Sequence, residues 1–470
     1  MSWQQLWRKK TLNPEALPGD NPLGLRRSLT RLDLVVIGLA QIIGAGIFVI
    51  SGVGVRVAGP GIILSFIVSG LACTLAALCY AELASMIPQA GSAYSYAYTI
   101  FGEIFAWIIG WDLILEYGMG ASTVASGWSY YFQDLLRGSV WELPHWAAGD
   151  SLTRAGGLVN LPAALIIMFL AILLVFRTKM NVLVARWLVA VKLGIIFFIM
   201  IIGAFYVRPQ HWSPLTPYGH FSVIQGAALV FFAYLGFDVV SVAAEEARNP
   251  SRDVPFGIIG SLLFCTLIYI LVALVLIGMV PFGQIDPGAP FSTAFRQIGL
   301  PWAAGLISMG ALVGLTSVLY ILLLAQPRVL FAMGRDGLLP GWTAAVHPRF
   351  RTPHIMTLVC GTVIAICSAL TPIEKLAFMC NIGTLFAFFI VCLGVLILRY
   401  TQPQARRPFR CPAGKTIAAL GALASLGMML SMPLDSWLRL GLWLALGLII
   451  YFFYGWQSGR LGASRRQVEN

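Results

Sequence analysis

The sequence predicts an all-α integral membrane protein with twelve transmembrane helices, and three observations carry that expectation. Of the 470 residues, 59% are apolar and only 11% charged, against roughly 45–50% and about 25% in a soluble domain. The apolar residues fall in long blocks, most of them near the ~20 residues that cross about 30 Å of hydrocarbon. The blocks do not alternate: IILSFIVSGLACTLAALCY (62–80) is apolar on every face, unlike the ~10-residue alternating strands of a membrane barrel. Lipid offers a backbone amide no partner outside its own helix, so the blocks are read as helices.

The blocks are 32–56, 61–87, 103–128, 160–178, 183–207, 222–245, 257–280, 301–325, 354–371, 375–399, 415–432 and 437–457. The fourth and eleventh are short. They divide the chain into an N-terminal segment 1–31, a first five-helix repeat 32–207, a second 222–399, a helix pair 415–457 and a tail 458–470. The first block is too long for a signal-peptide core and is expected to remain as a span. Ahead of it, Trp3, Leu6 and Trp7 lead into Arg8-Lys9-Lys10. That spacing suits a short helix on an anionic leaflet, and a frayed basic tail fits it equally.

The net charge of +12 suggests nucleic acid until the charges are located. With twelve spans both termini share a side, and that side holds 23 of the 31 Lys and Arg residues. The opposite side holds Arg56, Arg137, Arg154, Arg208, Arg296, Lys375 and Arg439, and Lys192 lies inside a span. This asymmetry places both termini in the cytoplasm. It makes the basic charge topological and excludes nucleic acid as a partner. The partners expected are the lipid bilayer, a small solute and protons. Most of the eight cysteines sit in apolar blocks as small core residues. The five histidines have no metal-ligand spacing, so neither a metal nor a cofactor is expected.

Two spans carry interruptions. The first reads IGLAQIIGAGIFVISGVG, with Gly44-Ala45-Gly46 near its middle, and the sixth reads ALVFFAYLGFDVVSVAAEE. An offset of five spans puts the two copies in opposite orientation, the arrangement in which discontinuous helices hold a substrate at the bilayer midplane. Glycines let the backbone unwind where a ligand comes close. Amides at Ile43, Gly44, Ala45 and Gly46 then suit a carboxylate. Carbonyls around Phe232, Ala233 and Leu235 suit an ammonium. Such a site fits an α-amino acid. The alternative is that these glycines serve close helix packing.

Ionisable groups inside a membrane cost about 2.5–3.5 kcal/mol each on insertion scales and call for a partner or a role. Lys192 lies about nine residues into the fifth span, Glu116 inside the third, and Asp238 just past the break in the sixth. They are expected to neutralise one another in part, either as a structural network or with Asp238 carrying a coupling proton. Glu82, Glu245 and Glu246 fall at span ends, where solvation is the default. Glu245 and Glu246 are also candidates for a cytoplasmic gate. Gln41, beside the first break, either reaches the site or faces a neighbouring helix, and the second is favoured.

In order along residues 30–400 stand GAGIF (44–48), AGPGIILSFIVSGLAC (58–73), CYAEL (79–83), GSAYSYAY (91–98), GWDLILEYG (110–118), FFAYLGFDVVSVAAEEARNPSRDVPFGI (231–258), RDGLLP (335–340) and NIGTLFAF (381–388). In these motifs the chain resembles the amino acid–polyamine–organocation superfamily and, within it, the bacterial branch of the cationic amino acid transporter family. The resemblance implies a leucine-transporter-like fold of five plus five inverted helices with two added spans. It implies an aromatic gate at Phe232, Lys192 in place of a sodium ion, and a proton-coupling pair of Asp238 with Tyr269. Glu116 matches the family's acid in the third span. Ala40-Gln41, Ala45 and Gln326-Pro327 depart from the family's usual residues and leave the substrate side chain open.

The function expected is secondary active transport: proton-coupled symport of small or hydrophobic neutral L-amino acids by alternating access, in the bacterial inner membrane. A cationic amino acid carrier or an exchanger is the alternative. An embedded enzyme lacks any HExxH or GxSxG set, and a receptor lacks a soluble signalling domain. The longest loop, 129–159, is too short for one.

Overall fold

The computed structural model describes residues 29–87, 92–149, 157–176, 182–242, 247–335, 337–350 and 352–455. Among them the chain is almost wholly helical, with two isolated β-bridges and no strand. The expected helix on the basic N-terminal segment lies outside the described residues.

Helix α1 (Arg31–Ile42) starts on a capping box, in which Thr30 accepts from the Asp33 amide and Asp33 accepts from the Thr30 amide at 3.0 Å. It stops in the middle of the first apolar block. A π-helical turn (Gly46–Ile50) and α2 (Ser51–Ala58) continue the block after the gap. Gly59, at φ 59°, and Pro60 then turn the chain into α3 (Ile62–Met86). Only glycine adopts that φ without strain.

A short α4 (Ser92–Ile100) leads to α5 (Glu103–Leu136). The sequence ends this span at 128, but the helix runs eight residues further. Its polar extension is paired: Ser129 donates to Asn160 Oδ1 at 2.5 Å, and Asp134 takes Arg296 at 3.0 Å and Ser308 at 2.9 Å. Helix bonds plus these partners carry the element past its apolar part. Next come α6 (His145–Ala148), α7 (Leu161–Phe176) and α8 (Val182–Ala204).

The sixth apolar block is broken as well, into α9 (His220–Val230), a 3-10 turn (Phe231–Tyr234) and α10 (Val239–Val242). After it run α11 (Pro250–Met279), α12 (Pro290–Gln297), α13 (Pro301–Arg335), α14 (His354–Leu370), α15 (Ile373–Thr401), α16 (Gly414–Leu430) and α17 (Leu434–Ile450). Among the described residues, seven helical stretches are long and apolar enough to cross a membrane, and four shorter apolar helices accompany them.

Helices α5, α13 and α15 pack side by side, α3 lies along α11, and α1 lies along α11 and α8. The broken segments sit inside this frame, with every residue from Leu39 to Val55 buried. The outside is apolar in turn. On α17, Leu434, Leu438, Leu442, Leu446 and Ile449 form an exposed row, the surface that a lipid solvent requires.

Candidate functional site

The site begins with the carbonyls that a stopped helix leaves behind. At the end of α1 the Ile43 amide still donates to Leu39 O at 3.0 Å, but Ile43 is extended (φ −77°, ψ 100°) and the next bonds are missing. Carbonyls of a last turn need outside donors. Lys192 Nζ, from α8, donates to Ala40 O at 2.7 Å. The Tyr269 hydroxyl, from α11, donates to Ile42 O at 2.8 Å. Both side chains are fully buried. Gly314 of α13 leaves room for the lysine stem, since a Cβ there would sit 3.3 Å from Lys192 Cγ.

Lys192 thus meets a backbone carbonyl. It caps a helix C-terminus, where the dipole favours a cation. The Tyr269 proton likewise goes to Ile42 O.

Beyond the gap, the first amides of the Gly46–Ile50 turn have no acceptor within it. Gly46 abuts the other break: a Cβ on it would lie 2.1 Å from Ala233 Cα. The two interruptions thus meet backbone to backbone. In the sixth block, Asn381 of α15 donates through Nδ2 to Ala228 O at 2.8 Å and Leu229 O at 2.9 Å. Phe232 O takes the Leu235 amide at 3.3 Å, which closes the 3-10 turn. Gly236 follows at φ 106°, a conformation that favours glycine.

Between the breaks lies a small cavity of about 40 Å³. Gly44, Ala45 and Gly46 line it on one side, and Phe232, Leu235, Gly236 and Asp238 on the other. Glu116, Tyr117 and Gly120 of α5 and Val318 and Leu322 of α13 complete the wall. Ile43 and Ala233 are buried beside it, and Lys192 and Tyr269 stand behind the first break. Glu245 and Glu246 lie outside the described residues.

A family model described as amino acid permease matches residues 29–458. The chain belongs to the amino acid permease family. It is similar to a branched-chain amino acid permease of Bacillus subtilis, 42% identical over 97% of this chain and 99% of the relative. It is also similar to a methylthioribose transporter of the same species, 45% identical over 89% of this chain and 90% of the relative. A vacuolar cationic amino acid transporter of Arabidopsis thaliana is 38% identical over 84% of the chain and 67% of its own length. The chain is therefore a multi-pass membrane protein of amino acid transport, and not an enzyme.

Three residues of the permease differ from the sequence reading or were missed by it. Gln41, expected to face a neighbouring helix, lines the cavity with its stem over Gly236. Glu82, expected at a solvated span end, is buried. It pairs with Arg399 and with Arg407 at 3.2 Å, and accepts the Cys411 amide at 2.8 Å. The loop after α15 folds over this span end, and apolar periodicity carries no sign of that.

Asp112 was overlooked. It lies one helical turn before Glu116 and is fully buried, and neither carboxylate oxygen has a hydrogen-bond partner among the described residues. Its neighbour is Gly383, where a Cβ would come within 2.7 Å of Oδ1. The signal was present as the i, i+4 acids of WDLILEYG.

Ion pairs also tie the start of α1 to its neighbours. Arg31 meets Asp253 of α11 at 2.7 Å, and Asp33 meets Arg186 of α8. The arginines of both pairs are more than half exposed, a setting in which such pairs contribute about 0–1 kcal/mol each.

Proposed function

We propose that the permease is a proton-coupled symporter of small or hydrophobic neutral L-amino acids, working by alternating access. In this reading twelve spans form two inverted five-helix repeats plus a helix pair, and both termini face the cytoplasm of a bacterial inner membrane. The observation that carries it is the cavity between two backbone interruptions five apolar blocks apart. An amide-lined wall at Gly44–Gly46 receives the carboxylate. The ammonium sits toward Phe232–Leu235, and Phe232 closes over the substrate as a gate. Asp238, on the cavity wall, takes and releases the coupling proton.

The relative named for branched-chain amino acids spans nearly all of both chains, which supports a neutral side chain. The walls at Val318 and Leu322 are apolar and agree with that choice. A cationic substrate or an exchange mode is the second reading, favoured by the acids Glu116 and Asp238 on the cavity.

Counterflow in proteoliposomes across the twenty amino acids, with and without a pH gradient, tests the proposal. Saturable uptake of neutral amino acids driven by inward acidification is expected. Asp238→Asn should retain counterflow and lose the response to the gradient. Gradient-driven uptake left intact in that variant would remove Asp238 from the coupling role, and uptake of no amino acid would overturn the whole reading.

A further inference from the structure

Gln41 is the residue of the cavity wall whose chemistry is unspent. Its side chain is 6% exposed, and Oε1 is buried with no hydrogen-bond partner among the described residues. A buried polar atom without a partner costs free energy, and nearly all such atoms in native proteins are satisfied. At the edge of a cavity, a ligand donor or an ordered water supplies the missing partner.

Its position decides which ligand group. A Cβ on Gly236 would lie 2.3 Å from Gln41 Cγ, so the glutamine stem rests on the glycine that follows Leu235. Leu235, Gly236 and Asp238 line the same wall. Gly236 holds φ 106° there, and the missing Cβ is what admits the side chain. Gln41 therefore presents its amide on the Leu235–Asp238 side, three residues before the amide-lined wall starts at Gly44. The donor that an α-amino acid brings to that side is its ammonium.

We infer that Gln41 is a specificity-determining residue whose side-chain oxygen accepts a hydrogen bond from the substrate's amino group. This rests on the amino acid reading proposed above. The cavity then recognises the ammonium with a neutral side-chain acceptor in addition to backbone carbonyls. This contact adds to the discrimination between an amino acid and its deaminated counterpart.

The experiment compares wild type, Gln41→Leu and Gln41→Asn in proteoliposomes. It uses a transported amino acid together with the carboxylic acid of the same side chain that carries no group on its α-carbon, and so no donor there, as a competitor. Leucine at position 41 keeps the bulk over Gly236 and removes the acceptor. Its KM for the amino acid should rise at least about tenfold, as for a lost hydrogen bond to a charged group, while inhibition by the α-unsubstituted acid changes less than about twofold. Asparagine should restore part of the affinity. Equal weakening toward both ligands, or an unchanged KM, overturns the inference. Substrate-independent melting temperatures of the purified variants separate misfolding from lost recognition: for a Gln41→Leu protein that does not fold, Gln41→Asn alone must shift the amino acid and not the α-unsubstituted acid. Wild-type protein that transports no amino acid at all defeats the earlier reading instead.

Discussion

The two interruptions look alike in the sequence, each a glycine-marked gap in an apolar block, yet they are held by different means. The first is held from the side of α8 and α11, where Lys192 and Tyr269 donate to Ala40 O and Ile42 O. The second is held from α15, where one amide group, Asn381 Nδ2, serves both Ala228 O and Leu229 O. A cation and a phenol hold one end, and a neutral amide holds the other. A broken helix inside a membrane needs donors for its freed carbonyls, and the identity of the donors decides which neighbouring helices each break is tied to. Because α8 also bears Arg186, paired with Asp33 at the start of α1, the first break and the start of its helix are gripped by one neighbour.

The contrast can be broken at its strongest point first. Gly46→Ala places a Cβ 2.1 Å from Ala233 Cα, a backbone atom that has no rotamer to turn. Transport should fall at least about a hundredfold, and the variant should melt earlier, since overpacking costs about 1–3 kcal/mol or more. Near-normal uptake would show that the two backbones separate readily.

Next comes Lys192→Met, which keeps the stem and removes the donor from Ala40 O. An orphaned buried carbonyl costs about 1–3 kcal/mol, and a lowered melting temperature in detergent is expected. Asn381→Leu tests the other side. It orphans carbonyls that already belong partly to helix turns, so a loss of about 1 kcal/mol is expected, smaller than for Lys192→Met. If the order reverses, the second break is the more demanding of the two. The smallest effect should come from Gly44→Ala, where the Cβ meets Val318 Cγ2 at 2.9 Å. A side chain can rotate away, so a several-fold rise in KM is expected, with stability kept.

Much of this was legible from residue order. Long blocks without alternation are enough for an all-helical membrane chain, because lipid removes every alternative. Gly44, Gly46 and Gly236 marked the gaps, and buried acids in the third and sixth blocks marked the wall. The ends of helices were less legible. Helix α5 runs on to Leu136 because Ser129 and Asp134 find partners on distant segments. Glu82 was read as solvated because its partners lie more than three hundred residues away.

Gln41 and Lys192 show where sequence reading stops. The sequence by itself determined that a lysine sits inside an apolar block and that a glutamine stands beside a glycine-rich gap. Only the tertiary structure decided that Lys192 grips Ala40 O, and that Gln41 lies over Gly236 with its oxygen lacking a partner among the described residues. The physical reason is one of range. Hydropathy and helical period act along a single segment, whereas the partner of a buried polar atom is chosen by whichever helix packs across from it.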